Sequence, residues 1–148
     1  MDDSSVQQLI WAALALALPL CAVLGHWPPV AGRYGEGDRI ITLRHVGPVV
    51  WGACRLLNGQ ERYLGWALLG RLHLRRYDSG PAHLMGRGFP QKQAHALDNV
   101  CTGLFALRRG PQGDLSGHFY GRRFQLQGER MVVVEILAPQ SRHWRRLA

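Results

Sequence analysis

The chain has 148 residues, enough for one domain or for a smaller domain with an anchor. Residues 1–32 contain Asp2 and Asp3 and no Lys or Arg, whereas residues 33–148 hold all 18 basic residues against eight acidic ones, a net +10 that favours anionic partners. The three cysteines, Cys21, Cys54 and Cys101, show no CxxC spacing, which argues against a disulfide framework and for buried thiols in a reducing compartment.

From Leu9 to Leu24 the sequence runs sixteen residues without a charge. Extended to Val6 and Trp27, the segment would make about 33 Å of helix, enough to cross a hydrocarbon core. Trp11 and Trp27 are then placed for the two membrane interfaces, Pro19 would bend the helix, and Pro28-Pro29 would end it. The acidic start does not suit a cleaved signal peptide. Arg33, Arg39 and Arg44 follow the run and no basic residue precedes it. The positive-inside rule therefore predicts an inner- or plasma-membrane protein with its N-terminus outside and its C-terminal domain cytoplasmic. Residues 1–32 are accordingly expected to be a short acidic tail and transmembrane anchor.

Beyond Pro29 the apolar stretches are short and punctuated by Gly and Pro. Asp38–Val46 reads as a strand, rich in Ile, Thr and Val. Pro48–Leu57 and Gln60–Leu69 read as a hairpin about Asn58-Gly59, a dipeptide in which both residues tolerate positive φ. Arg71–Tyr77 is a further strand closed by Asp78-Ser79-Gly80-Pro81, and residues 83–90 read as loop. Gln91–Asp98, after Pro90, suits a short helix. Asn99–Arg109, Asp114–Gln127 and Arg130–Leu137 complete about seven mainly antiparallel strands in a small barrel or sandwich spanning residues 33–140.

Residues 49–71 and 100–122 repeat without gaps: Gly52 matches Gly103, Gly59 matches Gly110 and Gly70 matches Gly121. Polar residues mostly do not recur with the glycines, so the repeat predicts duplicated scaffold, with interior glycines marking bends or close backbone approach.

Catalytic signatures are missing: the chain has no P-loop, GxSxG, HExxH or GxGxxG after a strand. His95 and Asp98 lack an accompanying nucleophile, and His83, His95 and Cys101 match no common zinc spacing. The sequence thus predicts no enzyme, cofactor or metal. Seventeen of the 18 basic residues are Arg, a composition that suits bidentate anion contacts and follows equally from a GC-rich genome. Arg75-Arg76, Arg108-Arg109 and Arg122-Arg123 lie on strands, where neighbours point to opposite faces, so only one of each pair can join a given anion site.

Arg71-Leu-His-Leu-Arg75 resembles the RxxxR segment of PilZ-type cyclic-dinucleotide receptors. Asp114-Leu-Ser116-Gly-His-Phe119 is similar to their [D/N]xSxxG motif, but Phe119 stands at the glycine position, and the pair does not place the chain in that family. The last residues, 141–148, read as a cationic tail in which Arg142, Trp144, Arg145 and Arg146 would contact an anionic headgroup surface or an acidic groove.

The resulting expectation is a non-enzymatic single-pass membrane protein, an accessory or scaffold subunit meeting lipid and membrane-protein partners. The alternative is a membrane-tethered anion-binding module for a cyclic dinucleotide, nucleic acid or anionic lipid, with nucleic acid the less favoured.

Overall fold

The computed structural model describes residues 30–148. The segment read as an anchor, with Trp11 and Trp27, lies outside them. Among the described residues no helix is long and apolar enough to cross a membrane. Nine strands and two short helices follow in the order β1 (Gly32–Glu36), β2 (Arg39–Val46), β3 (Val49–Leu56), β4 (Gly59–Leu68), β5 (Arg71–Ser79), α1 (Pro81–Gly86), α2 (Gln91–Ala96), β6 (Cys101–Arg109), β7 (Leu115–Gln127), β8 (Arg130–Ile136) and β9 (Gln140–Leu147).

Each of the strands β1 to β7 pairs antiparallel with the next, and β9 then pairs with both β7 and β1. This closes an eight-stranded barrel, the arrangement that leaves no free edge in the closed part. β8 is the exception. The second half of β7 leaves the barrel and pairs with β8 as a projecting hairpin, Arg122 opposite Ile136 and Gln127 opposite Arg130.

Two strands escaped the sequence reading. β1 is glycine-rich and short, and β9 is the segment read as a tail. That reading is corrected: residues 141–147 belong to a barrel strand, and Trp144 is fully buried in the core. Its ring meets Tyr63 and Phe105 at centroid distances of 5.6 and 4.9 Å, so it cannot contact a headgroup or a partner's groove. Alternation explains the result. In QSRHWRRL the inward positions are Arg142, Trp144 and Arg146, and the period of two is obscured because arginine occupies both faces. The start of the stretch 83–90, read as loop, belongs instead to α1, whose first turn holds Pro81.

The repeated glycines fall in different settings. Gly52 and Gly103 lie inside β3 and β6, where a Cβ would overlap the Thr42 carbonyl oxygen and the Phe119 ring. Gly59 begins β4 at the tight β3–β4 turn, and Gly110 begins the longer β6–β7 turn, where its amide bonds to the Asp114 carbonyl. Gly70 occupies the β4–β5 turn at φ 72°, whereas Gly121 is buried within β7.

The barrel has two unlike ends. One carries the β2–β3, β4–β5 and β6–β7 turns, the start of β1 and the end of β9. The other carries the β1–β2 and β3–β4 turns, both helices and the β7–β8 hairpin. Interior side chains toward the first end are almost all apolar: Leu43, Val50, Ala67, Leu72, Leu107 and Leu115 surround the buried Tyr34. Toward the second end they become charged.

Candidate functional site: an arginine-lined mouth

The change from apolar to charged interior follows from strand alternation. On β5, Leu72, Leu74, Arg76 and Asp78 all point inward, so the last two carry charge into the barrel. On the neighbouring strand β4, Tyr63 and Glu61 also point inward, Glu61 opposite Asp78 and Tyr63 opposite Arg76 in the register. The β5–β6 register slips between Arg76 and Tyr77, which leaves Thr102 as an unpaired extra residue of β6. Such a bulge turns its hydroxyl inward beside Asp78, at 2.5 Å.

The buried charges form one network. Arg76 lies 3.2 Å from Asp78 and 3.9 Å from Glu61. Arg39 reaches Glu61 at 2.9 Å, and Arg87 reaches Asp78 at 2.5 Å. The Tyr63 hydroxyl donates to Glu61 at 2.5 Å. Burial acts to raise the Asp78 carboxyl, but Arg76 and Arg87, the Thr102 hydroxyl and His83 outweigh it and hold the group below the usual carboxylate range. Burial, then the charge and hydrogen bond of Glu61, pushes the Tyr63 phenol far up, so it remains a donor. Arg87 is drawn down by burial and by repulsion from Arg76, against the pull of Asp78.

Glu61, Asp78 and His83 place ligand atoms within 4.8 Å of one another, the spacing of a metal site. The electrostatics oppose a cation there, because Arg39, Arg76 and Arg87 already engage both carboxylates and would repel it. These carboxylates instead anchor guanidiniums that face outward into a cavity.

That cavity has a volume of about 540 Å³, within the range typical of small-molecule sites. Its walls include Arg39, Arg76, Arg87, Arg122 and Arg142, with Glu36 the acidic residue among them. Counting Glu61 and Asp78 beneath, five guanidiniums face three carboxylates, a local excess of +2. Arg142 pairs with Glu36 at 3.4 Å. Arg122 has no carboxylate partner among the described residues; its Nη1 donates to the Cys101 carbonyl at 3.4 Å, and its buried Nε is unsatisfied, as is that of Arg142. Apolar surface comes from Phe89, Phe124 and Leu137, and from Phe119, whose ring is covered by Arg76 at 4.7 Å and Arg142 at 5.6 Å. Arg87 and Phe89, in the segment between the two helices, wall one side, and the helices rest on a small second core of Leu84, Ala94 and Leu97 with Phe124 and Met131 packed against it.

The structure sorts the residues singled out from sequence. Arg142 lines the mouth, whereas Arg145 is exposed on the outer side of β9 and Arg146 lies at the other end, bonded through Nη2 to the Ala31 carbonyl at 3.2 Å. Of the arginine pairs, Arg76 and Arg122 face the cavity while Arg75 and Arg123 face out, Arg123 meeting Glu135 at 2.8 Å. Arg71 and Ser116 lie in strands β5 and β7, away from the mouth. Asp98 does not pair with His95; its carboxylate accepts from the Gly80 amide at 3.0 Å. The residues that sequence reasoning missed are Arg39, Glu61, Asp78, Arg87 and Thr102. The inward alternation of β4 and β5 could have found Glu61, Arg76 and Asp78, but Arg87 follows a helix that was not expected.

The molecule is thus a closed eight-stranded antiparallel barrel with an apolar interior, a charged mouth and one projecting hairpin. No family model, curated protein or solved structure matches this chain.

Proposed function

We propose that this chain is a membrane-tethered binding module for a small organic anion, held in the arginine-lined mouth of the barrel. The observation that carries the reading is Arg122, a half-buried guanidinium on the cavity wall with no acidic partner among the described residues. Arg142, over Phe119 and beside it, supplies a second cation. Carboxylate or phosphate oxygens would take the guanidinium donors in bidentate fashion, and an apolar body would rest against Phe89, Phe124 and Leu137. No nucleophile or general base stands free in the cavity wall, which favours binding over turnover. The membrane tether rests on the uncharged run 9–24 and the arginines that follow it.

Calorimetric titration of the full-length chain in detergent with phosphate, pyrophosphate, citrate, benzoate and a mononucleotide tests the reading. Binding that weakens by about 10- to 100-fold in Arg122→Gln, with the fold retained, is the expected result. Absence of binding by every probe at millimolar concentration would sink it.

A role as accessory subunit is favoured by a separate observation. Among the described residues β8 pairs only with β7 and its other edge has no strand beside it, with Val132, Val134 and Ile136 exposed. A free apolar edge accepts an added strand from a partner. A complex purified in mild detergent that loses its partner on Val133→Pro would support that role.

A further inference from the structure

The barrel end opposite the anion mouth is built unlike a solvated surface. Val46 and Val49 flank the β2–β3 turn, and Trp66, Leu68 and Leu69 lead into the β4–β5 turn; all five are exposed, Leu69 at 79%. The two turns are neighbours, because the Ala67 amide bonds to the Pro48 carbonyl at 2.8 Å and Val49 stands opposite Trp66. Their side chains therefore form one apolar patch at the barrel's rim.

Leu69 carries the point further. It adopts φ 52°, followed by Gly70 at φ 72°. This is the turn geometry for which Asn-Gly is the favoured pair, and a leucine there is strained by its Cβ. Strain of this kind at an exposed position indicates a use for the side chain itself.

Charge separates along the barrel in the same sense. Arg33, Arg44, Arg71, Arg108 and Arg145 are all exposed around this end, and Arg71 lies opposite Arg108. Of the acidic residues among residues 33–148, only Asp114 lies here, and its carboxylate is engaged by the Arg146 amide at 2.7 Å. The other acidic residues lie toward the mouth or on the projecting hairpin.

Chain length fixes which end approaches the anchor run. The barrel grips the chain at Val30, whose carbonyl accepts from the Tyr34 hydroxyl at 2.8 Å, and at Ala31 through Arg146. Only residues 25–29 separate Val30 from the uncharged run 9–24. Whatever their conformation, five residues reach at most about 18 Å. The mouth lies about 25 Å farther along the tilted strands.

We propose that this apolar, arginine-ringed end is a docking surface for an anionic lipid bilayer. The β2–β3 and β4–β5 turns insert Val46 and Leu69 below the headgroups, the arginines meet lipid phosphates, and the anion mouth faces away from the membrane. The inference rests on the tethered reading above and is tested so that the two can fail separately.

The full-length chain with Cys21→Ser and Cys101→Ser retains Cys54, which is fully buried. One new cysteine is added, Leu69→Cys at the docking end or Leu57→Cys at the 99% exposed β3–β4 turn, and labelled with an environment-sensitive fluorophore. Each protein is incorporated into bilayer nanodiscs containing phosphatidylglycerol and a nitroxide-bearing lipid. Quenching at position 69 about twofold or more above that at 57, reduced by Arg71→Glu with Arg108→Glu, is expected. Incorporation with equal quenching at the two positions would overturn the docking surface and leave the tether standing. Failure to incorporate would overturn the tether, and the inference with it. The Arg71→Glu, Arg108→Glu protein, with an unlabelled Leu69, should still bind the anion probes, because neither arginine lines the mouth.

Discussion

Asp78 shows how a single buried carboxylate organises the mouth. It is fully buried and is engaged by Arg76, Arg87 and Thr102. Removing its charge would leave Arg76 with only the more distant Glu61 carboxylate, at 3.9 Å, and Asp78→Asn should cost about 3 kcal/mol at neutral pH. The pH dependence follows from the depressed native pKa. Below its native value the carboxyl is protonated in both states and contributes nothing; above the unfolded value, about 3.9, its contribution is complete. The gap between wild type and Asp78→Asn should therefore be constant above about pH 5 and shrink as the solution is acidified through the native pKa. Urea unfolding of both proteins between neutral and acidic pH measures it, and a gap that grows on acidification would contradict the assignment. Leu69 shows the converse, a residue that weakens the fold where it stands. Leu69→Asn should raise stability by about 1 kcal/mol, since Asn tolerates the left-handed region, while weakening attachment to anionic bilayers. Thermal unfolding checks the first effect and the nanodisc assay the second.

Among the elements, β5 and β9 are each divided between packing and function. β5 supplies Leu72 and Leu74 to the core and Arg76 and Asp78 to the mouth, with the slip opposite Thr102 joining the two halves. β9 closes the barrel between β7 and β1 and seats Trp144 against Tyr63 and Phe105. Close strand packing depends on glycine at a few positions. At Gly65 in β4 a Cβ would overlap the His73 carbonyl oxygen of β5, and at Gly117 in β7 it would overlap that of Ala106 in β6. Backbone cannot move aside as a side chain can, so these positions exclude every other residue. Gly65 had argued against a helix over residues 60–77; its position against β5 gives the reason in terms of the strand that forms instead.

At the scale of the whole molecule the barrel is polar along its axis, with the apolar, basic end and the charged mouth separated by the aromatic core. A ligand bound only at the mouth of the folded state must stabilise the whole cooperative unit. At a concentration 100 times its dissociation constant it should add about 2.7 kcal/mol. A thermal shift that rises with the logarithm of anion concentration, and disappears in Arg122→Gln, is the expected signature. A shift retained in that variant would point to anions screening the arginines at large.

Much of the fold was legible in local sequence. Ile, Thr and Val content marked β2, the Val132–Val134 run marked β8 and the Leu72–Leu74 alternation marked β5. A hairpin was expected at Asn58-Gly59 and forms there, although its turn residues are Leu57 and Asn58 and neither Asn58 nor Gly59 takes positive φ. Alternation also foretold that one arginine of each adjacent pair would be turned away from any shared site. These are period-two and turn signals carried within a few residues. The apolar run 9–24 and the arginines after it are likewise properties of the chain itself, on which the tethered reading rests. Barrel closure was not legible, because it depends on β1 pairing with β9 across 100 or more residues, and arginine on both faces of β9 hides its inward side. Nor was the mouth legible. Arg39, Glu61, Asp78, Thr102, Arg122 and Arg142 come from six different strands, and no local pattern relates them. Only the shear and closure of the barrel bring such distant charges into one volume, where Arg39, Arg76 and Arg142 meet carboxylates and Arg122 is left without one among the described residues.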